Sequence, residues 1–340
     1  MKYIFELNHP KHYYQFKYII DILQKKGHSI LILARDKDVL LTVLDEEHVP
    51  YTIFGDHKDS ISGKVFSSFS IFLNYYRIVR DFKPDVIVSK ASLYGTLVSR
   101  ISKCRSVIFP DSEVVKLTNR VVAPLASMIV TPRSFRLDYG SKHHRIDGLF
   151  EDCYLAPSVK TIDGDYPTKV GLNRPYAILR FVGWTANHDI NKSGFSFDEK
   201  MRLVCELGKF MSVYISSEKD LPNELKPFHL FTPPADIHDV LANADLYIGD
   251  SQTMATEAAL LGTPSIRSNS FVGDNDMSNF VMLEKQFGLL LNIKDFDTVL
   301  SKAIDFAKHP RKQEWQNKRD EYYRRVGDIN AAIVDLIETV

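Results

Sequence analysis

The stretch Asp245-Leu246-Tyr247-Ile248-Gly249-Asp250-Ser251-Gln252-Thr253-Met254-Ala255-Thr256-Glu257-Ala258-Ala259-Leu260-Leu261-Gly262-Thr263-Pro264 reads as a strand, a turn, a helix and a stop. Leu246 to Ile248 is short and apolar, as a buried strand is. Met254, Ala258 and Leu261 recur at i, i+4 and i+7, which gives the expected helix one apolar stripe. Gly262 supplies the residue past its end, and Pro264 forbids continuation. Between strand and helix lie Gly249, Asp250, Ser251, Gln252 and Thr253, with little side-chain bulk and two hydroxyls. A helix start leaves amides unpaired and carries partial positive charge, so phosphate is favoured there. Glu257, one turn further in, is a candidate to accept both hydroxyls of a ribose. A second reading makes Ser251 or Thr253 a simple N-cap, although Glu257 falls one residue beyond capping-box spacing from Thr253. Both readings stay open on the sequence.

Outward from this unit the same alternation recurs. Tyr176 to Phe181 and Met211 to Ser216 read as strands before it, with a helix from Asp198 to Gly208 between them and a short one near Ile237 to Ala242. Strands at Ser265-Ile266 and Leu289 to Leu291 follow it, then helices from Phe296, from Arg311 and over Ile329 to Ile337. In the first half, strands are expected at Tyr3 to Leu7, Ser29 to Ala34, Val49 to Phe54, Asp85 to Ser89, Ser106 to Phe109 and Ala126 to Thr131. Phe16, Ile19, Ile20 and Leu23 mark a helix ending near Gly27. Val39 to Leu44 starts another, and Phe66, Phe69, Leu73, Tyr76 and Arg80 mark the core face of a long third helix. Short strands each followed by a helix indicate parallel sheets with right-handed crossovers. From Glu151 to Pro175 the alternation stops and Pro157, Gly164, Pro167, Gly171 and Pro175 gather, as in a linker. The expected organisation is a Rossmann-like domain over 1–160, a second over 161–325, and a terminal helix over 326–340 that crosses back to the first.

The totals bound the function classes. A chain of 340 residues with 44% hydrophobic and 25% charged content suits two ordinary globular domains. Lys plus Arg equals Asp plus Glu at 43 each, so no global field recruits nucleic acid. Three scattered cysteines, Cys104, Cys153 and Cys205, form no metal spacing and suit a reducing compartment. The first residues turn polar too soon for a signal peptide, and no apolar run approaches the about 18 residues of a membrane span. A soluble, cytoplasmic protein is expected. A basic surface around Lys64, Arg77, Arg80 and Lys83 is a candidate contact for a lipid-linked acceptor at the membrane, against the commoner reading of a solvated helix face.

Several stretches carry a resemblance: Asn8 to Lys17, Lys25-Lys26-Gly27-His28, Lys83-Pro84-Asp85, Asp147 to Leu155, Arg180 to Asp189, and Thr253 to Pro264. Through them the chain resembles the domain-of-unknown-function 354 family, a GT-B-like group. Its 249–264 turn also resembles the nucleotide-binding turn of UDP-N-acetylglucosamine 2-epimerases, with Gln252 and Thr253 where those have two glycines. The resemblance implies two doubly wound parallel-sheet domains facing an interdomain cleft, and a nucleotide sugar as substrate. It aligns His12 with a family histidine, one residue being inserted, and Glu113 with a catalytic glutamate. His188 falls near a histidine beside the phosphates.

The residues themselves extend the candidate site. Ligands of open parallel sheets bind beyond the carboxyl ends of the strands. The loop after the first strand offers Asn8, His9 and His12, and a histidine there suits general base chemistry or a sugar contact. Arg180 ends a strand where it can pair with phosphate, and Trp184 offers a flat face to a base or sugar. Arg267, Asp274 and Asp276 are candidates for sugar hydroxyls. For each of these the bland alternative is a solvated or capping side chain. Two epimerase acids are missing, since Lys90-Ala91-Ser92 and Lys116-Leu117-Thr118 stand at their places. Proton transfer at a sugar carbon needs such groups, so epimerase chemistry is disfavoured while nucleotide binding is kept. The expected activity is a metal-independent GT-B glycosyltransferase with no cofactor, acting on a glycan or lipid-linked acceptor in surface polysaccharide assembly. A nucleotide-sugar 2-epimerase or hydrolase is the first alternative, and a non-catalytic nucleotide-sugar-binding protein the second. Asp163-Gly164-Asp165 lies in the linker and is discounted as a metal site.

Overall fold

The computed structural model describes residues 1–36, 39–56, 61–115, 117–182, 194–217, 220–274 and 276–340, apart from the side chains of 61–68 and 234. Two compact units divide the chain: Met1–Tyr154 together with Asp328–Val340, and Leu155–Gly327.

Unit 1 is built on seven parallel strands, β1 (Lys2–Leu7), β2 (Ser29–Asp36), β3 (Thr52–Asp56), β4 (Val86–Ser89), β5 (Arg105–Ile108), β6 (Met128–Pro132) and β7 (His143–Ile146). Their order is β3-β2-β1-β4-β5-β6-β7, so the winding reverses between β1 and β4. Tyr3, Ile4, Phe5 and Leu7 of β1 are fully buried, as a central strand covered on both faces must be. β7 is absent from the sequence expectation. Its residues, His-His-Arg-Ile, carry one fully buried apolar side chain, so the edge strand leaves no hydrophobic run to read.

The helix Pro10–Lys25 buries Phe16, Ile19, Ile20 and Leu23, the expected stripe. The long helix Ile61–Phe82 differs from expectation in its rotation. Ile71, Tyr75 and Val79 are buried, whereas Phe69 is 63% and Leu73 36% exposed. Both sets satisfy helical spacing, and Gly55 of β3 selects between them by admitting Ile71 against its bare Cα. The terminal helix Ile329–Glu338 packs on the helix Pro10–Lys25 within unit 1. The Asn330 amide donates to the Cys153 carbonyl at 2.9 Å, and Glu338 accepts from Lys26 and pairs with His28.

Unit 2 has five parallel strands, β8 (Tyr176–Phe181), β9 (Ser212–Ser217), β10 (Leu246–Gly249), β11 (Ser265–Arg267) and β12 (Leu290–Asn292), in the order β12-β11-β10-β8-β9. Here the reversal falls between β8 and β10. The helix Gln252–Leu260 follows β10 and is buried on most sides at Ala255, Thr256, Glu257, Ala258, Ala259 and Leu260. The single stripe expected for it understates this, because small residues let strands and neighbouring helices close in all round. Gly262 holds φ +77, the left-handed stop that the sequence requires.

A buried ion pair fixes the far side of this sheet. Arg267 is completely enclosed; its guanidinium donates to both Asp276 oxygens at 2.8 Å and to Asn292, and stacks on Phe280 at 3.7 Å. Replacing Arg267 with Met leaves the Asp276 carboxylate buried and unpaired. The expected loss is about 3–5 kcal/mol in a denaturant titration; a loss under about 1 kcal/mol would show the pair to be dispensable.

Candidate functional site

Ligands of open α/β sheets collect beyond the strand carboxyl ends where the winding reverses. In unit 2 the chain leaves β10 at Gly249. A Cβ there would lie 2.4 Å from the Tyr247 hydroxyl and 2.9 Å from the Arg180 carbonyl, so only glycine fits. Asp250 is 2% exposed; its carboxylate accepts the Val182 amide at 2.8 Å, its amide donates to Arg180 at 3.2 Å, and its carbonyl receives Asn269 at 2.9 Å. The ends of β8, β10 and β11 are thereby tied together.

Ser251, in extended backbone, caps the following helix by accepting the Met254 amide at 3.3 Å. The cap reading therefore holds for Ser251. The Gln252 and Thr253 amides, on the first two helical residues, have no acceptor within the helix. Glu257 is 8% exposed and lies 3.5 Å from His238. Arg180 donates to Ser216 on the neighbouring strand at 2.8 Å. Gly249 through Met254, Glu257 and Arg180 thus sit at the carboxyl edge of one sheet.

The other unit 2 candidates divide. Trp184 and His188 lie outside the described residues. Arg267 and Asp276 are corrected: both are buried and pair with each other at 2.8 Å, so neither is presented at a surface to a sugar. Asp274 is exposed.

Unit 1 gathers a different set beyond β1, β4 and β5. His9 is the N-cap of the helix Pro10–Lys25, accepting the Lys11 amide at 3.1 Å. Asn8 donates from its side chain to Glu6 at 2.9 Å and from its backbone to His12 Nδ1 at 3.2 Å. That bond places the proton of a neutral His12 on Nε2. Burial, with Lys90 nearby, pushes the His12 pKa down to about 3, so its ring is neutral near pH 7. The geometry makes it a donor from Nε2 rather than a base. Glu113 accepts the Arg136 amide at 2.6 Å and lies 3.6 Å from its guanidinium.

Sequence reasoning passed over the group that dominates this edge. Lys90, 7% exposed at its side chain, donates to Gln15 at 2.8 Å, pairs with Asp111 at 3.3 Å and stands 4.0 Å over Phe150. Burial lowers its pKa. Partial desolvation would raise the Asp111 carboxyl, but Lys90, then Lys11 and His12, outweigh it and hold it low. Lys11 pairs with Glu151 at 2.8 Å. Ala91, at φ +105, carries a strained backbone of the kind that collects at functional sites. That strain has no sequence signal, and Lys90 reads from sequence only as a missing acid.

Two parallel-sheet α/β units of this winding define a GT-B-like protein. Residues 2–167 match the family described as "Protein of unknown function (DUF354)", in line with the resemblance read from the sequence. An uncharacterized protein of Methanocaldococcus jannaschii is 21% identical over 280 residues, which cover 77% of this chain and 80% of that protein. Among solved structures, the UDP-GlcNAc 2-epimerase from Neisseria meningitidis bound to UDP-GlcNAc superposes with TM-score 0.70 at 13% identity, covering 100% of both chains. The spinosyn rhamnosyltransferase SpnG does so with TM-score 0.65 at 13% identity, again over 100% of both. Likeness at such identity is one of fold. Among the described residues no helix is long and apolar enough to cross a membrane.

His12, partly buried, generates a pH effect of definite sign. Below about 6.5, its unfolded value, the unfolded chain takes up a proton that folded His12 refuses, so stability falls as pH drops from about 6.5 toward 3. His12 adds a slope of up to about 1.4 kcal/mol per pH unit, which His12→Gln removes. Urea titrations of both proteins at pH 7 and pH 5 measure it; equal pH dependence in the two would show that His12 titrates normally.

Proposed function

We propose that this protein is a metal-independent GT-B glycosyltransferase that uses a nucleotide-diphosphate sugar. The observation that carries the reading is the switch point of unit 2, where a helix with two amides lacking helical acceptors begins three residues past a central strand. Helix dipole and amides favour a diphosphate there, and Arg180 adds a cation at the end of the adjoining strand. The fold likeness supports the ligand class: one neighbour is bound to UDP-GlcNAc, and SpnG has been solved with thymidine diphosphate.

In this reading the diphosphate rests on the turn from Ser251 to Met254 and the ribose on Glu257. Stabilising the departing diphosphate falls to the amides and Arg180, as preorganised dipoles do best. The acceptor is a glycan or lipid-linked sugar held by unit 1, where Asn8, His9 and the Nε2 proton of His12 orient its hydroxyl. Glu113 is taken up by Arg136. Asp111, 47% exposed at its side chain, is the carboxylate better placed to receive the proton, late in bond formation given its low pKa. The reaction belongs to surface polysaccharide assembly in the cytoplasm, at the inner face of the membrane.

A 2-epimerase or hydrolase is the second reading, favoured by the TM-score of 0.70 to a UDP-GlcNAc 2-epimerase. Lys90 counts against it, because an ammonium stands where those enzymes carry an acid. The two part on one assay. A transferase releases nucleotide only with acceptor, whereas an epimerase or hydrolase turns over UDP-N-acetylglucosamine alone.

Calorimetry against UDP, GDP, CDP and TDP tests the binding step, with Glu257→Gln beside the wild type. The variant is expected to bind at least about 10-fold more weakly while its melting temperature changes by a few degrees at most. Unchanged affinity with lost stability would assign Glu257 to the helix and His238 alone.

A further inference from the structure

Tyr247 lies on β10 and is fully buried, yet its hydroxyl has no hydrogen-bond partner among the described residues. A buried hydroxyl normally finds one, and leaving it bare costs stability. The ring runs along the strand toward its carboxyl end. Its oxygen occupies the space above the Gly249 Cα, 2.4 Å from where a Cβ would stand. The chain thus keeps a glycine at the last strand residue, and the room is filled by a polar atom. Arg180, Asp250, Glu257 and the interior Arg267 all act electrostatically on this phenol. Burial drives its pKa far above that of an ordinary tyrosine, so the oxygen keeps its proton and has it to donate.

We propose that the Tyr247 hydroxyl is a ligand-binding donor at the unit 2 switch point, giving its hydrogen bond to the anionic diphosphate of a nucleotide. The inference rests on the proposed nucleotide site and adds a residue to it. It explains why a phenol stands where phenylalanine would pack equally well.

The test is Tyr247→Phe, measured as full-length protein by calorimetry with UDP and TDP and by thermal unfolding without ligand. A donor reserved for ligand predicts opposite signs. The ligand-free variant melts at the same temperature or higher, because a bare buried hydroxyl is gone. Its affinity for the diphosphate falls about 10-fold, the usual effect of losing a hydrogen bond to a charged group. Equal affinity in the two proteins overturns the proposal. So does a ligand-free variant that melts lower while binding normally, since the hydroxyl then serves the fold. If the wild type binds none of UDP, GDP, CDP and TDP, the nucleotide site itself fails and this inference falls with it; binding by wild type and variant alike sinks the inference alone.

Discussion

The second unit depends on a single carboxylate. Asp250 stands where the winding reverses, and three strands leave the sheet within reach of its polar atoms. One oxygen takes the Val182 amide at the end of β8, while its carbonyl takes Asn269 beyond β11. Backbone amides at strand ends lose their ladder partners and cannot be buried bare. By satisfying one of them from the side chain and passing its own amide to Arg180, Asp250 lets the sheet end sharply. The chain can then turn at once into the helix Gln252–Leu260. Had the turn been looser, the first amides of that helix would open away from the sheet edge. What reads in sequence as a ligand contact is a buried brace.

The same distinction between interior and ligand-facing polar groups separates Arg267 from Arg180. Both end strands, and both were candidates for phosphate or sugar. Arg267 is enclosed by Asp276, Asn292 and Phe280, and the Asp276 carboxylate balances its charge in the interior. Arg180 is only partly buried and donates to Ser216, a neutral hydroxyl on the neighbouring strand. Guanidinium groups are fixed in geometry and always charged, so the identity of the acceptor decides whether the cation is spent on the fold.

The architecture was legible because its cause is local. Short apolar runs, most of them followed by a helical stripe with a glycine or proline stop, point to parallel sheets from local pattern alone. The strand-turn-helix unit at 246–262 was legible down to its left-handed Gly262. The rotation of the helix Ile61–Phe82 was not, since two apolar stripes compete and only the packing of Ile71 over Gly55 chooses. Edge strand β7 was hidden by its polar composition. Site residues were legible as loops but not as roles. Whether His9 is a cap, His12 a donor, or Asp276 a counter-ion depends on partners many residues away. The role of Lys90 was hidden for the same reason: its partners Gln15, Asp111 and Phe150 are scattered over the sequence.

The electrostatic character of the two switch points differs, and this bears on what each can hold. Unit 1 pairs Lys90 with Asp111 and Lys11 with Glu151, and keeps His12 neutral. Its charges are matched, so an incoming anion would have to displace a carboxylate already in place. Hydroxyl-bearing, uncharged ligands meet no such competition and can exchange hydrogen bonds with Asp111 and the His12 Nε2 proton. Unit 2 offers the reverse. Its helix start carries positive potential, Arg180 adds a cation beside a neutral hydroxyl, and the Asp250 carboxylate is turned inward onto an amide. The proposed assignment of an anionic donor to unit 2 and a neutral sugar hydroxyl to unit 1 is in keeping with this asymmetry.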